Sequence, residues 1–524
     1  MQGTEYGAGG FAVPEPPRAE NAMSENSQYT PAKRKGFPVF SIPALVMLAL
    51  MLAVFVLEIL FSIHHNNILR PLSGDTVGLR FYEKLLYNKQ FPDALENSFL
   101  FRAVQLGAAG VLAAGLCALY YAMRKSRVIL TFACLWLIPA CLPLISTSVL
   151  FRGAWRADTS GTLTYMLTTV LQTASLFCFF GGLFAFLGVQ KKGRIGGSPY
   201  IGLLIGVLAF LLSMLSSFGA GVMTSSAYGG RTLEILNVQN AVRNNQYSAG
   251  AAGSVLKVLI QVLAAVVPAV VLSILARKKS TKGRMTLAVL WVFLAFLTFG
   301  LLLFLLSGLG SMPDRIVGST LNTVLLTLTG GALGGLFAYS FVHLLRRVPS
   351  FLFGLIAVIL AASLSCVVAK YVYIATLGLL DTAWPQVLMS VFDPRLVLIV
   401  VVLSFALRDY TEPKPASLVL ALALLAGALL WGEFANAYIY TARARGGFTP
   451  LSMYYYNLVN NTMAADISAI SEQSAQAVVA QSAAAGRVLT GVGLLVSVPP
   501  LLFAAGGALL LKRSLAAPKR LIRE

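Results

Sequence analysis

Few residues of this chain could do chemistry, and most of those stand where a charge is costly. Glu58 in "FVLEILFS" and Glu433 in "LLWGEFANAY" are acids inside long apolar runs. A carboxylate near mid-membrane costs roughly 2.5–3.5 kcal/mol on insertion scales, so an acid in such a run is a functional candidate by default. Glu58 lies near the end of its run, which places it within reach of water. Glu433 also lies near the end of a run, beside Trp431, Phe434 and Asn436, and these four residues form a candidate substrate pathway. "VFDPRL" sets Asp393, Pro394 and Arg395 in another apolar run. Acid and base two residues apart can pair across a helix broken at the proline, and a structural kink is the first reading of this triplet.

Other motifs carry less. "VQKKGRIGGSP", Val189 to Pro199, has glycines at 193, 196 and 197 but no Gly-Lys-Ser/Thr and no strand before it, so it does not read as a phosphate loop. Lys191, Lys192 and Arg194 make it a basic turn at lipid headgroups. The three histidines, His64, His65 and His343, fall in no metal-binding pattern, and no metal site is expected. The five cysteines all sit in apolar runs and read as small buried hydrophobes. "LSMYYYNLVNNT" has three consecutive tyrosines that suit an interfacial anchor or a sugar platform, and its "NNT" matches a glycosylation sequon.

The elements that must position these residues are transmembrane helices. The chain has 524 residues, of which 57% are apolar and 11% charged, and its mean hydropathy is +0.77. A water-soluble globule cannot be built from that composition. Apolar runs long enough to cross a hydrocarbon core of roughly 30 Å recur throughout. Twelve spans are expected, at about 39–63, 100–122, 128–150, 162–188, 199–223, 255–276, 285–308, 320–345, 351–374, 385–407, 417–436 and 488–511. The formal charge of +20 follows the positive-inside rule rather than any affinity for nucleic acid. Basic clusters precede the first span and follow the second, fourth, sixth, eighth, tenth and twelfth, including Lys191 to Arg194, Arg408 with Lys414, and Lys512 to Arg523. This pattern puts both termini in the cytoplasm of a multi-pass protein of the plasma (inner) membrane. Residues 1–36, polar and rich in Pro and Gly, read as a disordered cytoplasmic tail.

The chain also repeats. "PDALENSFLFRAVQL" from Pro92 and "PDRIVGSTLNTVLLT" from Pro313 keep one offset of 221 at Asp93 and Asp314, Ser98 and Ser319, and Gly110 and Gly331. Further on, "ADTSGT" matches "LDTAWP" and "AVVPAVVL" matches "VSVPPLLF". The expected fold is all-α, with two parallel six-helix halves, 37–284 and 285–524, related by an axis along the membrane normal.

In order and spacing, these halves resemble the membrane-spanning permeases of carbohydrate-type ABC importers, two of them fused. The resemblance rests on Asn97-Ser98 and Asn322-Thr323 before a span, and on Thr224, Gly229, Gly230, Thr232 and Leu233 in the outer loop. It also rests on Ser254, on Ala338-Tyr339, on "LGLLDTAW" and on Trp431 with Phe434. Arg231 stands where the family has proline, and Gly432 where it has asparagine. The resemblance implies a permease without covalent chemistry. Substrate, a sugar or similar small polar solute, would arrive from an extracytoplasmic solute-binding protein and pass between rocking halves. No cofactor would be bound by this chain, and ATP would be hydrolysed on a separate ATPase subunit.

One departure bears on that coupling. The family docks its ATPase through a Glu-Ala-Ala loop between the fourth and fifth spans of each half. The corresponding places here are the turn at Lys191, Lys192 and Arg194 and "LRDYTEPKPAS" with Arg408 and Lys414, and neither carries the motif. Two alternatives therefore stand beside the importer. One is a permease-like accessory or scaffold protein without ATP coupling. The other is a twelve-span secondary transporter, against which the chain has few charged span residues for a proton relay.

Overall fold

The computed structural model describes residues 39–65, 72, 74–123, 126–143, 145, 147, 162–190, 232–275, 316–389, 393–407, 415–441, 448–459 and 475–516. The predicted tail at 1–36, the predicted spans at 199–223 and 285–308, the turn at Lys191, Lys192 and Arg194, and Arg408 and Lys414 lie outside them. Among the described residues the chain is helical, and one isolated bridge, His64 to Thr76, is its sole β pairing.

The helices are α1 (Ile42–Ile63), α2 (Arg80–Leu86), α3 (Gln90–Met123), α4 (Ser126–Leu135), α5 (Leu137–Ala140) and α6 (Thr162–Gln190). Next come α7 (Leu233–Val238), a π turn at Gln239–Arg243, α8 (Tyr247–Leu275), α9 (Ile316–Leu345), α10 (Ser350–Ser365) and α11 (Val367–Thr376). The chain continues with α12 (Trp384–Met389), α13 (Pro394–Ala406), α14 (Pro415–Trp431) and α15 (Ala435–Thr441). A helix at 451–459, called α16, and α17 (Ala475–Leu515) complete the set.

Among the described residues, six segments are long and apolar enough to cross a membrane: Val39–Ile63, Gln90–Tyr120, Thr169–Phe186, Ile316–Leu345, Trp384–Ala406 and Val488–Leu515. A seventh counts if α10 and α11, bent by 65° at Cys366, form one span. The described residues thus hold six or seven of the twelve expected spans. The runs expected at 128–150 and 417–436 give the shorter apolar helices Arg127–Ala140 and Pro415–Trp431. Two helices run well past their expected limits. α3 starts at Gln90, where the Asn88 Oδ1 accepts from the Gln90 N–H (2.9 Å) and Pro92 falls in the first turn, the one place a helix tolerates it. α17 keeps Pro499 and Pro500 in its interior and reaches 41 residues.

The largest core draws on α1, α3, α4, α5, α6, α9, α10, α13, α14 and α17. One close seam joins α9 to α14. A Cβ on Gly335 would come within 2.6 Å of the Ala423 backbone, and one on Gly331 within 3.1 Å of the Gly427 Cα. Without a hydrophobic force between helices in lipid, such small-residue seams supply association through close van der Waals contact.

Side-chain contacts define two ends of the bundle. At one end Phe40 packs on Tyr339 and His343, Arg346 donates to the Leu407 carbonyl (3.0 Å), and Ser417 bonds Ser514 (2.7 Å). Arg346, Arg347, Lys512 and Arg513 collect at this basic end. At the other end Ser248 donates to the His64 carbonyl (2.7 Å), and Asp381 exchanges backbone bonds with Tyr440 and Phe448. Tyr87 (88% exposed) and Trp384 (57%) project from this far end, where interfacial aromatics belong.

Candidate functional site

Towards the far end, interrupted helices line a cavity of about 140 Å³ with charged groups set in a largely apolar wall. Each interruption leaves backbone N–H and C=O groups without helical partners, and in lipid these must be satisfied from within the protein. The chain does this with charged side chains.

Asp393 satisfies the start of α13. Its backbone is extended, Pro394 follows as the first helical residue, and its carboxylate accepts the Arg395 N–H at 2.8 Å. The same carboxylate takes a two-pronged bond from the Arg395 guanidinium, Nε at 3.2 Å and Nη2 at 2.9 Å. The pair anticipated from "DPR" is therefore formed. Glu433 satisfies the start of α15, where its Oε1 accepts the Asn436 N–H at 3.0 Å. The helix breaks beside Gly432, where a side chain would collide with Pro143. Glu58 satisfies α11. Its carboxylate reaches from α1 to accept the Val368 and Ala369 N–H groups at 3.4 and 2.6 Å. Its expected exposure to water is corrected by the structure: Glu58 is 0% exposed, because α1 packs its acid-bearing face on α8, α10 and α11. Across the same bend, Lys370 Nζ donates to the Leu364 carbonyl (3.4 Å) in the last turn of α10.

The opposite wall comes from α7 and α8. Ser98 Oγ accepts the Leu233 N–H at 2.9 Å and so fixes the start of α7. Glu234, in the first turn of α7, is ion-paired with Lys257 of α8. Gln172 of α6 also lines the cavity and donates to the Leu142 carbonyl at 2.7 Å. Phe434, Ile439, Tyr440 and Met389 supply apolar wall. Above it Tyr247, Tyr371 and Tyr440 stack nearly parallel, with centroids 6.4 and 6.2 Å apart.

The structure thus brings Glu433, Phe434, Asn436, Asp393, Pro394 and Arg395 to one cavity. It does not bring Trp431 there. That indole donates to the Leu495 carbonyl (3.0 Å) and packs on Phe503, so it anchors α14 to α17. Lys257 and Lys370 escape a reading of the sequence that looks to acids alone, and Glu234 escapes one confined to the expected spans, since it lies between those at 199–223 and 255–276. Lysines inside "SVLKVLIQ" and "VVAKYVYI" are as costly in a membrane as Glu58 and Glu433, and that cost is the signal that marks them. Cys134, Cys141, Cys178 and Cys366 are buried free thiols. Among the described residues no cluster of His, Cys, Asp and Glu could hold a metal ion.

No family model, no curated protein and no solved structure matches this chain.

Proposed function

We propose that this chain is a membrane permease that passes a small polar solute through the cavity between two six-span halves by alternating access. The observation that carries this is the cavity itself. Three acids and three bases line it inside an apolar bundle, at the ends of interrupted helices. Solute sites of membrane transporters are built in this way, because discontinuous helices expose backbone dipoles that a polar ligand can use.

Two sets of contacts support the paired halves. α8 packs on α10 and α11, while α17 packs on α4 and α5, and α6 meets α13. With α4–α5 corresponding to α10–α11, α6 to α13 and α8 to α17, these are the exchanges a pseudo-twofold axis requires. A similar hydroxyl cap recurs in each half, one helical turn beyond the sequence offset of 221. Ser98 donates to the Ala94 carbonyl (2.6 Å) and accepts the Leu233 N–H. Thr323 donates to the Ser319 carbonyl (2.8 Å) and accepts the Leu451 N–H (2.7 Å) at the start of α16. These are the two hydroxyls of the Asn-Ser and Asn-Thr pairs on which the importer resemblance rests. We therefore read the chain as the permease subunit of an ABC-type importer for a sugar or similar solute, in the plasma membrane, with the basic end cytoplasmic. ATPase subunits and a solute-binding protein are its partners. Capture of an ATPase subunit with this chain in mild detergent, and uptake lost on ATP depletion, test the reading. Repeated failure of capture with uptake intact in cells sinks it.

The cavity also favours a second reading. The charged span residues, though few, are gathered at one place where a proton relay could run, with Glu58 directly behind them. Uptake abolished by a protonophore but insensitive to ATP depletion would select a secondary transporter.

A further inference from the structure

We propose that the bend between α10 and α11 is a monovalent-cation site that this chain fills with its own Lys370 ammonium. The bend gathers the ligands of such a site. The Leu364 carbonyl lies in the last turn of α10, at the negative end of that helix's dipole. Glu58 brings its carboxylate from α1, with no exposed surface at all. Ser254 of α8, whose hydroxyl donates to the Gly250 carbonyl (3.1 Å), adds a hydroxyl oxygen close to that carboxylate. Oxygens of these kinds, a helix-end carbonyl, a carboxylate and a hydroxyl, are what broken transmembrane helices offer to alkali cations. One carboxylate calls for a single positive charge, whereas divalent ions collect several.

Lys370 is placed to be that charge. It lies one turn into α11, 7% exposed, and its side chain turns back across the break so that Nζ bonds the Leu364 carbonyl. The ammonium and the Glu58 carboxylate attract each other across the bend, and Lys257 and the Cys366 thiol are the other titratable groups that Lys370 faces. A tethered ammonium does what a bound ion would do, but it cannot leave and needs no ion from solution. The inference is independent of what crosses the cavity, since it concerns the charge that holds the bend together.

The test is thermal unfolding of the full chain in detergent, in sodium or choline chloride at equal ionic strength and mildly alkaline pH. The wild-type chain is expected to melt at the same temperature in both. Lys370→Ala opens space at the Leu364 carbonyl, so its Tm should be higher in sodium by about 2 °C or more. Lys370→Met fills the same space without a charge and should show no sodium response. Glu58→Gln added to Lys370→Ala should abolish the response by removing the anionic ligand. A Lys370→Ala chain that melts alike in both salts overturns the proposal, because its carboxyl has then taken a proton instead of an ion. So does a Lys370→Ala chain that fails to fold in either salt while the Glu58→Gln/Lys370→Ala chain folds. A sodium response of equal size in Lys370→Met also overturns it, since the ion would then bind elsewhere.

Discussion

Two of the interruptions that border the cavity are repaired by opposite means. At the start of α13 everything is local: Asp393 caps the helix, Pro394 starts it and Arg395 neutralises the cap, all within three residues. At the start of α11 the repair is remote: the capping carboxylate comes from Glu58, 311 residues before the Ala369 N–H it serves. A local repair is complete as soon as the chain emerges. A remote repair exists only when α1 and α11 have packed together, so the first half of the chain is a structural requirement of the second. The same contrast divides the two charge pairs. Arg395 is bonded by two prongs to its neighbour, while Glu58 and Lys370 act across a gap spanned by backbone groups.

The comparison can be broken or sharpened by substitution, with unfolding temperature in detergent as the common measure. The largest loss is expected from Asp393→Ala, about 3–5 kcal/mol, because it leaves a buried guanidinium that cannot lose its proton. Adding Arg395→Leu should restore most of that loss by removing the stranded charge. Glu58→Ala should cost less, about 2–3 kcal/mol for two buried N–H groups without an acceptor, since a buried lysine, unlike an arginine, can shed its proton. If Glu58→Ala proves the more damaging of the two, the local pair is not the stronger device and the contrast fails. Ser98→Ala and Thr323→Val each remove a remote hydroxyl cap and should cost about 1 kcal/mol apiece. Equal losses at these two positions would sharpen the correspondence of the halves, and a large inequality would count against it. Trp431→Phe should cost least, about 0.5–1.5 kcal/mol for one hydrogen bond, and should leave solute uptake unchanged.

What the sequence discloses follows the same division. Asp393, Pro394 and Arg395 are adjacent, so their pairing is legible in the order of the residues alone. Glu433, with Asn436 three residues on, is likewise a local cap with a sequence signature. Glu58 misleads because its place near the end of an apolar run suggests access to water, whereas exposure depends on which helices cover that face. Trp431 misleads because its neighbours Glu433 and Phe434 do line the cavity, and the helix break between them turns the indole away. The Glu234–Lys257 pair joins α7 to α8 across a π turn, a departure from helical spacing that hides which positions share a face. Helical class and most segment positions are legible because hydropathy over long windows is a local property. The extra turns of α3 and α17 are not, because polar residues can continue a helix beyond the lipid.

The seam between α9 and α14 constrains how such a bundle can move. Where backbone meets backbone at Gly335 and Ala423, no side chains stand between the helices to change rotamer and absorb a rotation. The two helices must travel as a single stiff beam, and any tilt of one is inherited by the other in full. Compliance then belongs to the seams packed with larger residues, among them the one where α6 meets α13 beside the cavity.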